Sequence, residues 1–541
     1  MTVKPEIDGD LKKLIHRAEY RKTLREPVVA RRQAISELMR PLREDWEHAV
    51  EGRPRSVRRY DGTAVLALDQ AGASIYSMLT ATDNIWAPLE FEDEWRKDDS
   101  EARTWMADVN RIVFRSLDPA RDNFYNDAPE VILDSIGLGD GVFYSSRQPG
   151  TELFHSKAIP WREACFDIGN FGEVTHFDRW YSEPIWNVAE LFGEDALPES
   201  FKKRLKDTPN EKTRLLHTVV PANGSNRVSN VHRFLSCYVL TEASHALSWG
   251  GYRDMPYYVS RWGVGSGETY GMGRGVFALP DAQILNEMSR TSILAAQKAA
   301  EPPMAAHDEL AGLVSMDPNA LNFGAIDDAG NQLVQPIQTG ANVGISLEMQ
   351  DQRRQAIKDC FYHAMLSLVG SPTPSVVEIL KNDERRDQSM GPNLARIISE
   401  FLSPFIQGRY RELMRAGRIP PAPPVAQQAK LKVRFVSPLA KAHKAQTAQA
   451  TLAAVRGVAE VAQVDPRARH AINGLRAAKR VIDGFAAPDD IMSTEEEIAA
   501  LMEAETQAQE GAETLEVAER GSRAVESLAR AGQAMPQEGG A

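Results

Sequence analysis

The sequence has few cysteines, no long apolar run and no recognisable leader, and each absence excludes a class of protein. Its 541 residues contain three cysteines, Cys165, Cys237 and Cys360, which lie far apart and show no CxxC spacing. This pattern indicates neither a disulfide framework nor a zinc site, and it is typical of a reducing cytoplasm. No apolar run approaches the roughly 18 residues that span a bilayer, and residues 1–9 lack the basic-then-apolar order of a signal peptide. We therefore expect a soluble protein that is not exported and does not contact a membrane.

Catalytic motifs are also missing. The chain has no GxxxxGK(S/T) loop, so we do not expect it to hydrolyse ATP, and neither HExxH nor GxSxG occurs. Gly271, Gly273 and Gly275 superficially match a dinucleotide-binding fingerprint, but the third glycine spacing and a preceding βαβ unit are missing. The eleven histidines are scattered. The prediction is a protein that is not an enzyme and has no catalytic residue, metal ion or cofactor.

One run of carboxylates is dense enough to be weighed as a metal site. It comprises Glu90, Glu92, Asp93, Glu94, Asp98 and Asp99. Two-metal sites for phosphodiester cleavage gather their carboxylates from several strands or helix ends. This run is contiguous, which favours a solvated charged face. A metal-dependent nuclease stays open as an alternative function, and a cytosolic helical adaptor that binds no nucleic acid is another.

The chain is acidic overall. Its formal net charge is −12, from 75 acidic and 63 basic residues. This balance argues against a protein that grips nucleic-acid phosphates over its whole surface. It does not exclude DNA as cargo, because a strongly basic lining would slow DNA that has to slide. The acidity is compatible with a channel without indicating one.

The first half of the chain predicts a basic helix followed by a large α+β body. Apolar residues recur at helical spacing in the first 50 residues, interrupted at Pro27 and Pro41. This helix is either a solvated basic face or an arm that touches DNA or an acidic neighbouring subunit. Its basic residues are Lys12, Lys13, Arg17, Arg21, Lys22 and Arg25. All nine tryptophans lie between Trp46 and Trp262, which places the main core there. Strands are predicted at Ala158–Ile168, Glu173–Trp180, Arg214–Val220, Asn230–Thr241 and Tyr257–Trp262.

Two helices of similar length, separated by a turn-rich insertion, dominate the next part. Pro280 suits the first turn of a helix that ends at Ala299, and Ser346 is a plausible N-cap for a second helix with one buried face. The residues between them are rich in proline and glycine, with a hairpin expected around 327–331. The pattern allows an antiparallel helical hairpin that carries a small capping module.

Proline and glycine predict further breaks towards the C-terminus. Residues 369–374 interrupt the second helix, and a long helix over Ser375–Ala416 should bend at Gly391-Pro392 and at Pro404. From Pro438 the chain is rich in alanine and glutamate and has almost no aromatic residues. A short strand is expected at Val433–Val436, with helices at Leu439–Val464, Pro466–Gly484 and Thr494–Ala531.

Several ordered blocks of residues point to a family. The stretch from Met255 to Arg290 contains, in order, Ser260-Arg261-Trp262, Gly267-Glu268, Tyr270-Gly271-Met272-Gly273, Ala278-Leu279-Pro280-Asp281 and Leu285-Asn286. Glycines here permit positive φ angles and close approach of the backbone to other segments. This order resembles the portal proteins of short-tailed, podovirus-type bacteriophages, also called head-to-tail connectors. The blocks 390–424 and 433–440 resemble the same family, so that the resemblance covers most of the chain, from about Asp69 to about Glu497.

The resemblance implies an α+β, portal-type, ring-forming fold. Its parts would be an α/β wing body, a two-helix stem, a small α/β clip inserted in the stem, a long bent helix and a helical C-terminal crown. Their expected ranges are 1–60 for the N-terminal arm, 61–279 for the wing, 280–299 for the first stem helix, 300–345 for the clip, 346–368 for the second stem helix, 369–375 for a channel loop, 376–437 for the long wing helix and return strand, and 438–541 for the crown with a disordered tail. From the residues alone, 369–375 is equally an ordinary turn, and 438–541 a loosely structured tail.

The resemblance also implies a function and partners. Copies of the chain would form a homo-oligomeric ring, expected to be a dodecamer, at one capsid vertex of the virion, after assembly in the cytoplasm of the host bacterium. The ring would nucleate head assembly, conduct double-stranded DNA during packaging and ejection, and attach the tail. Its partners would be the terminase packaging motor, tail or adaptor proteins, and capsid and scaffolding proteins.

Candidate functional residues follow from this placement. The basic residues on the stem helices, away from their apolar stripes, are candidates to face DNA. They are Arg290, Lys298, Arg353, Arg354 and Lys358. The channel loop would comprise Val369, Gly370, Ser371, Pro372, Thr373, Pro374 and Ser375, and acidic clip residues that could dock a basic tail or motor subunit are Asp317, Asp327 and Asp328.

Overall fold

Two units make up the chain. The computed structural model describes residues 9–43, 59–80, 85–306 except 98, 149, 150, 152, 171, 224–227 and 229, then 308–337 except 311, 316, 318 and 328, then 343–363, 389–435, 438–484 except 466 and 468–470, and residue 504. One unit comprises Met1–Pro88, Asn110–Ile419 and Val433–Ser437, and the other comprises Leu89–Val109, Pro420–Lys432 and Pro438–Ala541.

Helices and strands alternate through the first half of the chain, whereas helices predominate in the second. The helices are α1 Gly9–Met39, α2 Thr63–Leu79, α3 Ser100–Arg115, α4 Phe124–Leu138, α5 Ile185–Phe192, α6 Glu199–Asp207, α7 Arg274–Ala300, α8 Val343–Cys360, α9 Ser403–Arg415, α10 Pro438–Val464 and α11 Gly474–Gly484. The strands are β1 Leu89–Phe91, β2 Asp140–Arg147, β3 Phe154–Ile159, β4 Ala164–Ile168, β5 Val174–Pro184, β6 Lys212–Pro221, β7 Phe234–Leu240, β8 His245–Tyr252, β9 Tyr257–Arg261, β10 Met304–Ala306, β11 Val334–Pro336 and β12 Leu431–Val433.

Two antiparallel sheets form the body of the first unit. One has five strands in the order β4-β5-β6-β7-β8, and the other has three in the order β3-β2-β9. Side chains from both sheets share one core, in which the ring of Tyr257 on β9 stacks on that of Phe177 on β5 at 3.8 Å. Helices α5 and α6 cover part of the five-stranded sheet through a second apolar cluster around Leu215 and Leu240. The α+β fold class is thus confirmed.

A second core of the same unit is aromatic. The ring of Phe124 on α4 stacks on Phe405 of α9 at 4.8 Å, and Phe143 of β2 meets Phe401 and Phe405. Stacked and edge-on aromatic pairs of this kind add to the stabilisation from burial alone. These contacts join the long helix near residue 400 to helix α4 and to strand β2 of the three-stranded sheet.

Helix α1 differs from its prediction in length and in its buried face. It continues through Pro27, which we expected to interrupt it. Arg21 and Arg25, which the sequence placed in a solvated basic set, are buried. The Nε of Arg21 donates to Asp178 at 2.5 Å, and one guanidinium nitrogen of Arg25 lies within 3.2 Å of three backbone carbonyls, those of Trp161, Arg162 and Ala164. These contacts, together with those of Arg32 beyond Pro27, offset the helical hydrogen bond that proline removes.

The predicted strand Ala158–Ile168 is wrong as a single element. The chain leaves β3 at Ile159, turns through Trp161–Glu163 and enters β4, which belongs to the other sheet. Pro160 sits at the turn, where its missing N–H breaks no ladder. Strand β8 was not predicted at all, because Gly250 and Gly251 weaken its local strand pattern.

The long helix before α9 contains an irregular turn. Residues 389–397 are helical, Ile398–Leu402 are π-helical, and Pro404 lies in the first turn of α9. Since proline cannot donate to a carbonyl one turn earlier, the wider turn falls directly before it. The bend expected at Pro404 therefore takes the form of a π-helical turn. Gly391 and Pro392 lie within the helical residues, and the earlier part of this predicted helix is outside the described ranges.

The second unit contains its own small contacts. Strand β1 pairs with β12, Phe91 stacks on Trp105, and the indole N–H of Trp105 donates to the carbonyl of Pro420 at 3.0 Å. Helices α10 and α11 pack on each other. Helix α11 starts later than the predicted Pro466, and the predicted helix over 494–531 lies outside the described residues apart from residue 504, which is helical. No helix in the described part of the chain has an apolar stretch that would cross a bilayer.

Candidate functional site

Helices α7 and α8 form an antiparallel hairpin that carries the insertion at its tip. The start of α7 meets the end of α8, where the Nε of Arg274 donates to the carbonyl of Cys360 at 2.8 Å. Further along, Arg353 of α8 donates to Asp281 of α7 at 2.7 Å. Helix α7 begins six residues before the predicted Pro280, which lies inside it. Helix α8 begins at Val343, so Ser346 is not its N-cap, and it ends at Cys360 rather than at residue 368.

Close backbone packing fixes the base of this hairpin. A Cβ atom on Gly273 would lie 2.6 Å from the carbonyl oxygen of Gly137 and from the amide nitrogen of Gly139, and one on Gly275 would lie 2.4 Å from the same oxygen. No side chain fits at such distances. Of the six glycines between 263 and 275, Gly267 alone has a positive φ, of 78°. The glycines that enter α7 therefore serve close approach of the end of α4 and not unusual dihedral angles.

The buried carboxylate of Asp140 binds the segment that leads into α7. One Asp140 oxygen accepts hydrogen bonds from Arg32 of α1 at 2.7 Å and from the indole of Trp161 at 3.2 Å, and the other accepts from the N–H of Gly271 at 2.6 Å. Arg32 also donates to the carbonyl of Gly271. Buried charges are tolerated when they are paired and hydrogen-bonded in this way. Sequence reasoning missed Asp140, although an aspartate between Gly139 and Gly141 in an apolar run was a usable signal.

Two blocks that carry the family resemblance meet in space. Arg261 lies in the Ser-Arg-Trp block, and Glu400 lies in the block that starts at Met390. The guanidinium of Arg261 binds the Glu400 carboxylate through two nitrogens, at 3.0 and 2.7 Å. Both side chains are nearly buried, so this fork-to-fork pair ties the end of β9 to the long helix.

A second buried arginine joins α9 to the three-stranded sheet. Arg409 pairs with Asp122 and also donates to the hydroxyls of Ser145 and Ser156. Its guanidinium lies 3.6 Å from the centre of the Phe154 ring. The residue belongs to a block that resembles the portal family, and here its contacts are structural.

Of the five basic candidates, Arg353 and Arg354 pair with carboxylates of other segments of the same chain. Arg353 pairs across the hairpin with Asp281, and the Nε of Arg354 donates to Asp61, at the start of α2, at 2.9 Å. Burial alone would raise the pKa of Asp61, but the hydrogen bonds from Thr63 and then from Arg354 outweigh it and leave that pKa below its ordinary value. These two arginines connect parts of the fold.

The other three basic candidates are more accessible. Arg290 makes a 3.4 Å contact with Glu287 one turn earlier on α7, an exposed pair. Lys298 is exposed near the tip of α7 and Lys358 is half-buried near the end of α8. Neither lysine has an ion-pair partner among the described residues.

The insertion between the helices is small, acidic and apolar at its surface. Strands β10 and β11 pair, and the expected hairpin turn is closed by the backbone N–H of Asp327, which donates to the carbonyl of Asn331 at 3.0 Å, with Ile326 opposite Gln332. Asp327 accepts hydrogen bonds from the side chain and backbone of Asn331, which hold its pKa below the usual value. Asp317 accepts from the hydroxyl of Ser315 at 3.0 Å. Phe323 and Leu321 are 89% and 84% exposed.

The structure describes only some of the remaining candidates, which are Asp328, the predicted channel loop and the acidic run. Asp328 and all of 369–375 lie outside the described residues. In the acidic run, Asp93 pairs with Arg96, and Asp99 accepts from the N–H of Ala102 at the start of α3. Searched over the described residues, the chain brings together no group of three or more histidine, cysteine or carboxylate side chains that could hold a metal ion.

The chain is similar to known proteins over most of its length. The model of one family, described as bacteriophage head to tail connecting protein, matches residues 11–492. The "Probable portal protein" of Bordetella phage BPP-1 is 23% identical over 481 residues, which is 84% of each chain. The "Portal protein" of Salmonella phage epsilon15 is 21% identical over 454 residues, 81% of this chain and 80% of that protein.

Solved structures with some similarity come from gene transfer agent particles. The neck of an empty particle, computed with C6 symmetry, has a TM-score of 0.37 and 13% identity, and covers 75% of this chain and 93% of the matched one. The virion of the native particle has a TM-score of 0.33 and 13% identity, with coverage of 76% and 92%.

Proposed function

Because this chain belongs to the bacteriophage head to tail connecting protein family, a family of structural portal components, we propose that its copies form a ring at one vertex of a tailed-phage capsid. The ring is expected to be a dodecamer that nucleates head assembly, conducts double-stranded DNA and attaches the tail. Assembly takes place in the host cytoplasm, together with capsid and scaffolding proteins. The DNA-moving motor is then a separate terminase, consistent with the absence of a nucleotide-binding loop from the sequence.

The observation that supports a ring most directly is the surface of the α7–α8 hairpin. Phe277, Ile284 and Leu294 on α7 and Leu347 and Met349 on α8 are 44–55% exposed. Phe277 and Ile284, seven positions apart, lie on one face of α7, and exposed apolar side chains grouped on a helix face are typical of a surface that another protein covers. Neighbouring hairpins standing side by side would cover it and leave their polar faces towards a channel.

The basic side chains divide into two groups under this proposal. Arg290 and Lys298 are exposed and best suited to meet DNA phosphates. Arg353, Arg354 and Lys358 lie nearer to the body, where the two arginines pair with Asp281 and Asp61. Residues 369–375, after the second stem helix, remain our candidate for a loop that moves against the duplex.

The insertion is the proposed docking point for the tail or the motor. From Glu301 to Asn342 the sequence has six carboxylates and no lysine or arginine. Exposed apolar side chains such as Phe323 lie on the same module as Asp317 and Asp327. A basic partner with apolar side chains would neutralise the charge and cover the exposed rings.

Electron microscopy of the purified chain tests the ring. We expect hollow rings with a central pore wide enough for B-form DNA, and a matching mass by light scattering. Replacing Ile284 by glutamate should shift the mass towards the monomer, because a charge then replaces an apolar contact between hairpins. Leu191→Glu, at an apolar site on α5 that is 62% exposed against 44% for Ile284, is the control and should still form rings. A monomer at high concentration in the unchanged chain would contradict the proposal and favour an adaptor that works alone.

A further inference from the structure

A continuous set of polar contacts runs from the body of the first unit into the α7–α8 hairpin. It comprises Asp61, Arg354, Gln350, Ser289 and Ser292, which we call the polar chain. Asp61 accepts from Arg354, whose second terminal nitrogen donates to the Gln350 side-chain oxygen at 3.2 Å. Gln350 then meets two serines of α7: its amide nitrogen donates to Ser292 at 2.7 Å, and the hydroxyl of Ser289 reaches its oxygen at 3.5 Å.

Gln350 is an unusual residue for this position. It is 2% exposed, whereas its neighbours on α8 from Glu348 to Arg353 are otherwise exposed. An apolar residue would bury at lower cost, since a buried amide must have every polar atom satisfied. Buried polar residues of this kind are known to define the register of paired helices at some cost in stability.

Among the described residues, the outer half of the hairpin has little else to define its register. Beyond Leu285, the buried residue of α7 that faces α8 is Ser289, a small side chain that gives a shallow ridge. The Arg353–Asp281 pair is 44% exposed on its arginine side, and exposed pairs contribute little. The large buried side chains Ile357 of α8 and Phe361, directly after its end, lie at the base.

We infer that Gln350 sets the axial register of the two hairpin helices and that Asp61, acting through Arg354, orients its side chain for that task. A shift of one helical turn would move α8 by about 5.4 Å along α7 and break at least one of the two serine contacts. The insertion at the tip would be displaced with it. If the hairpins line a ring, as proposed above, a single register presents every insertion at the same height.

Distances between spin labels within one chain test this inference. Labels are placed on cysteines introduced at the exposed positions Gln283 on α7 and Glu348 on α8, in a chain that carries Cys360→Ala. Labelled chain is mixed with excess unlabelled chain, so that each assembly contains at most one pair. The parent should show one narrow distance. Gln350→Leu should add a second population displaced by about 5 Å, while the melting temperature stays the same or rises.

Matched variants separate register from general stability. Gln355→Leu makes the same change at an exposed glutamine of α8 and should keep the single distance. Gln350→Glu retains an acceptor for both serines and for Arg354, and it should show the single narrow distance of the parent. Arg354→Lys, which cannot reach Asp61 and Gln350 together, should broaden the distribution.

Two results would overturn the inference. One is a single, unshifted distance in Gln350→Leu, and the other is equal broadening in Gln355→Leu. If Gln350→Leu does not fold, Ser292→Ala replaces it, because it removes one hydroxyl and predicts the same second population. The measurement reports on the hairpin inside one chain, so it can fail while rings still form, and it can succeed in a monomer.

Discussion

Gly273 is the residue at which the helical hairpin meets the body of the first unit. A methyl group there would lie 2.6 Å from backbone atoms of Gly137 and Gly139, and neither backbone can move aside as a flexible side chain would. We expect Gly273→Ala to lower the free energy of unfolding by about 2 kcal/mol or more, as overpacking does. Urea unfolding followed by tryptophan fluorescence measures the change.

A matched glycine provides the control for that substitution. A Cβ on Gly250 in β8 would meet nothing within 4 Å, and its φ is not in the left-handed region. Gly250→Ala should therefore leave stability unchanged or raise it slightly. Equal losses at both positions would show that the tight contact at the base of α7 is not what excludes a side chain.

His217 makes the stability of the five-stranded sheet depend on pH. The ring is fully buried, stacks on Tyr238 at 3.9 Å, and shares hydrogen bonds with Tyr257 at 2.6 Å and Ser236 at 2.9 Å. Burial, with a smaller contribution from the charge of Arg179, lowers its pKa to about 3. The neutral form is thus the one that the fold accepts.

The sign of the pH effect follows from that lowered pKa. In the unfolded chain the ring takes up a proton near pH 6.5, whereas the folded chain excludes it until pH is about 3. Stability from this group is complete above pH 6.5 and is lost as pH falls towards 3, with about 2 kcal/mol gone by pH 5. His217→Gln should flatten the fall in melting temperature between pH 7 and 5. His16→Gln, at an exposed site of α1, is the control, and an unchanged slope in His217→Gln would rule out this origin.

At the scale of elements, helix α1 illustrates what local pattern can and cannot predict. Its existence followed from apolar residues at helical spacing. The burial of Arg21, Arg25 and Arg32 did not, because their partners lie more than 100 positions away, on β5, at the start of β4 and on β2. A basic residue that is solvated and one that binds a buried carboxylate look alike in sequence. The helix is held by polar contacts on a face that periodicity assigns to solvent.

The α7–α8 hairpin was also predicted in part, because its helices could be read from the sequence but their ends and long-range contacts could not. Two helices and an insertion were predicted from proline, glycine and apolar spacing, and the structure has helices at both places. Their ends were predicted wrongly: Pro280 lies six residues inside α7, and α8 begins before Ser346. A proline tolerated within a helix and one that starts it differ in tertiary contacts that local sequence does not contain. The Arg354–Asp61 pair, 293 positions apart, could not be predicted either.

Some elements that are far apart in sequence contact each other through residues of the blocks that resemble the portal family. The Arg261–Glu400 pair joins β9 to the long helix, and the glycines before α7 pack on the end of α4. The resemblance identified both blocks but not their contact. Periodicity predicts helices and strands, whereas the order of residues in the blocks indicated the family. The three-dimensional contacts explain why blocks far apart in sequence are both needed for the fold.

At the scale of the whole molecule, net charge makes the few exposed cations of the hairpin important. Each chain carries −12, so a ring of copies would repel DNA, and salt at about 0.1 M would screen this repulsion beyond about 10 Å. Lys298 on α7 is exposed and has no ion-pair partner among the described residues. Under the proposed function, such a group would offset the repulsion locally while adding little friction.

Charge reversal at that position tests whether the hairpin lines the DNA path. Lys298→Glu should shorten the DNA packaged in an assembly assay, and the defect should lessen with added salt, because screening weakens the new repulsion. Lys203→Glu makes the same change of charge on α6, away from the hairpin, and should package normally at the same ring yield. Arg354→Glu is unsuitable, since it would place a carboxylate beside Asp61 and disturb the hairpin itself. Full-length packaging by Lys298→Glu would remove Lys298 from the proposed channel, whereas an equal defect in both variants would trace the effect to overall charge.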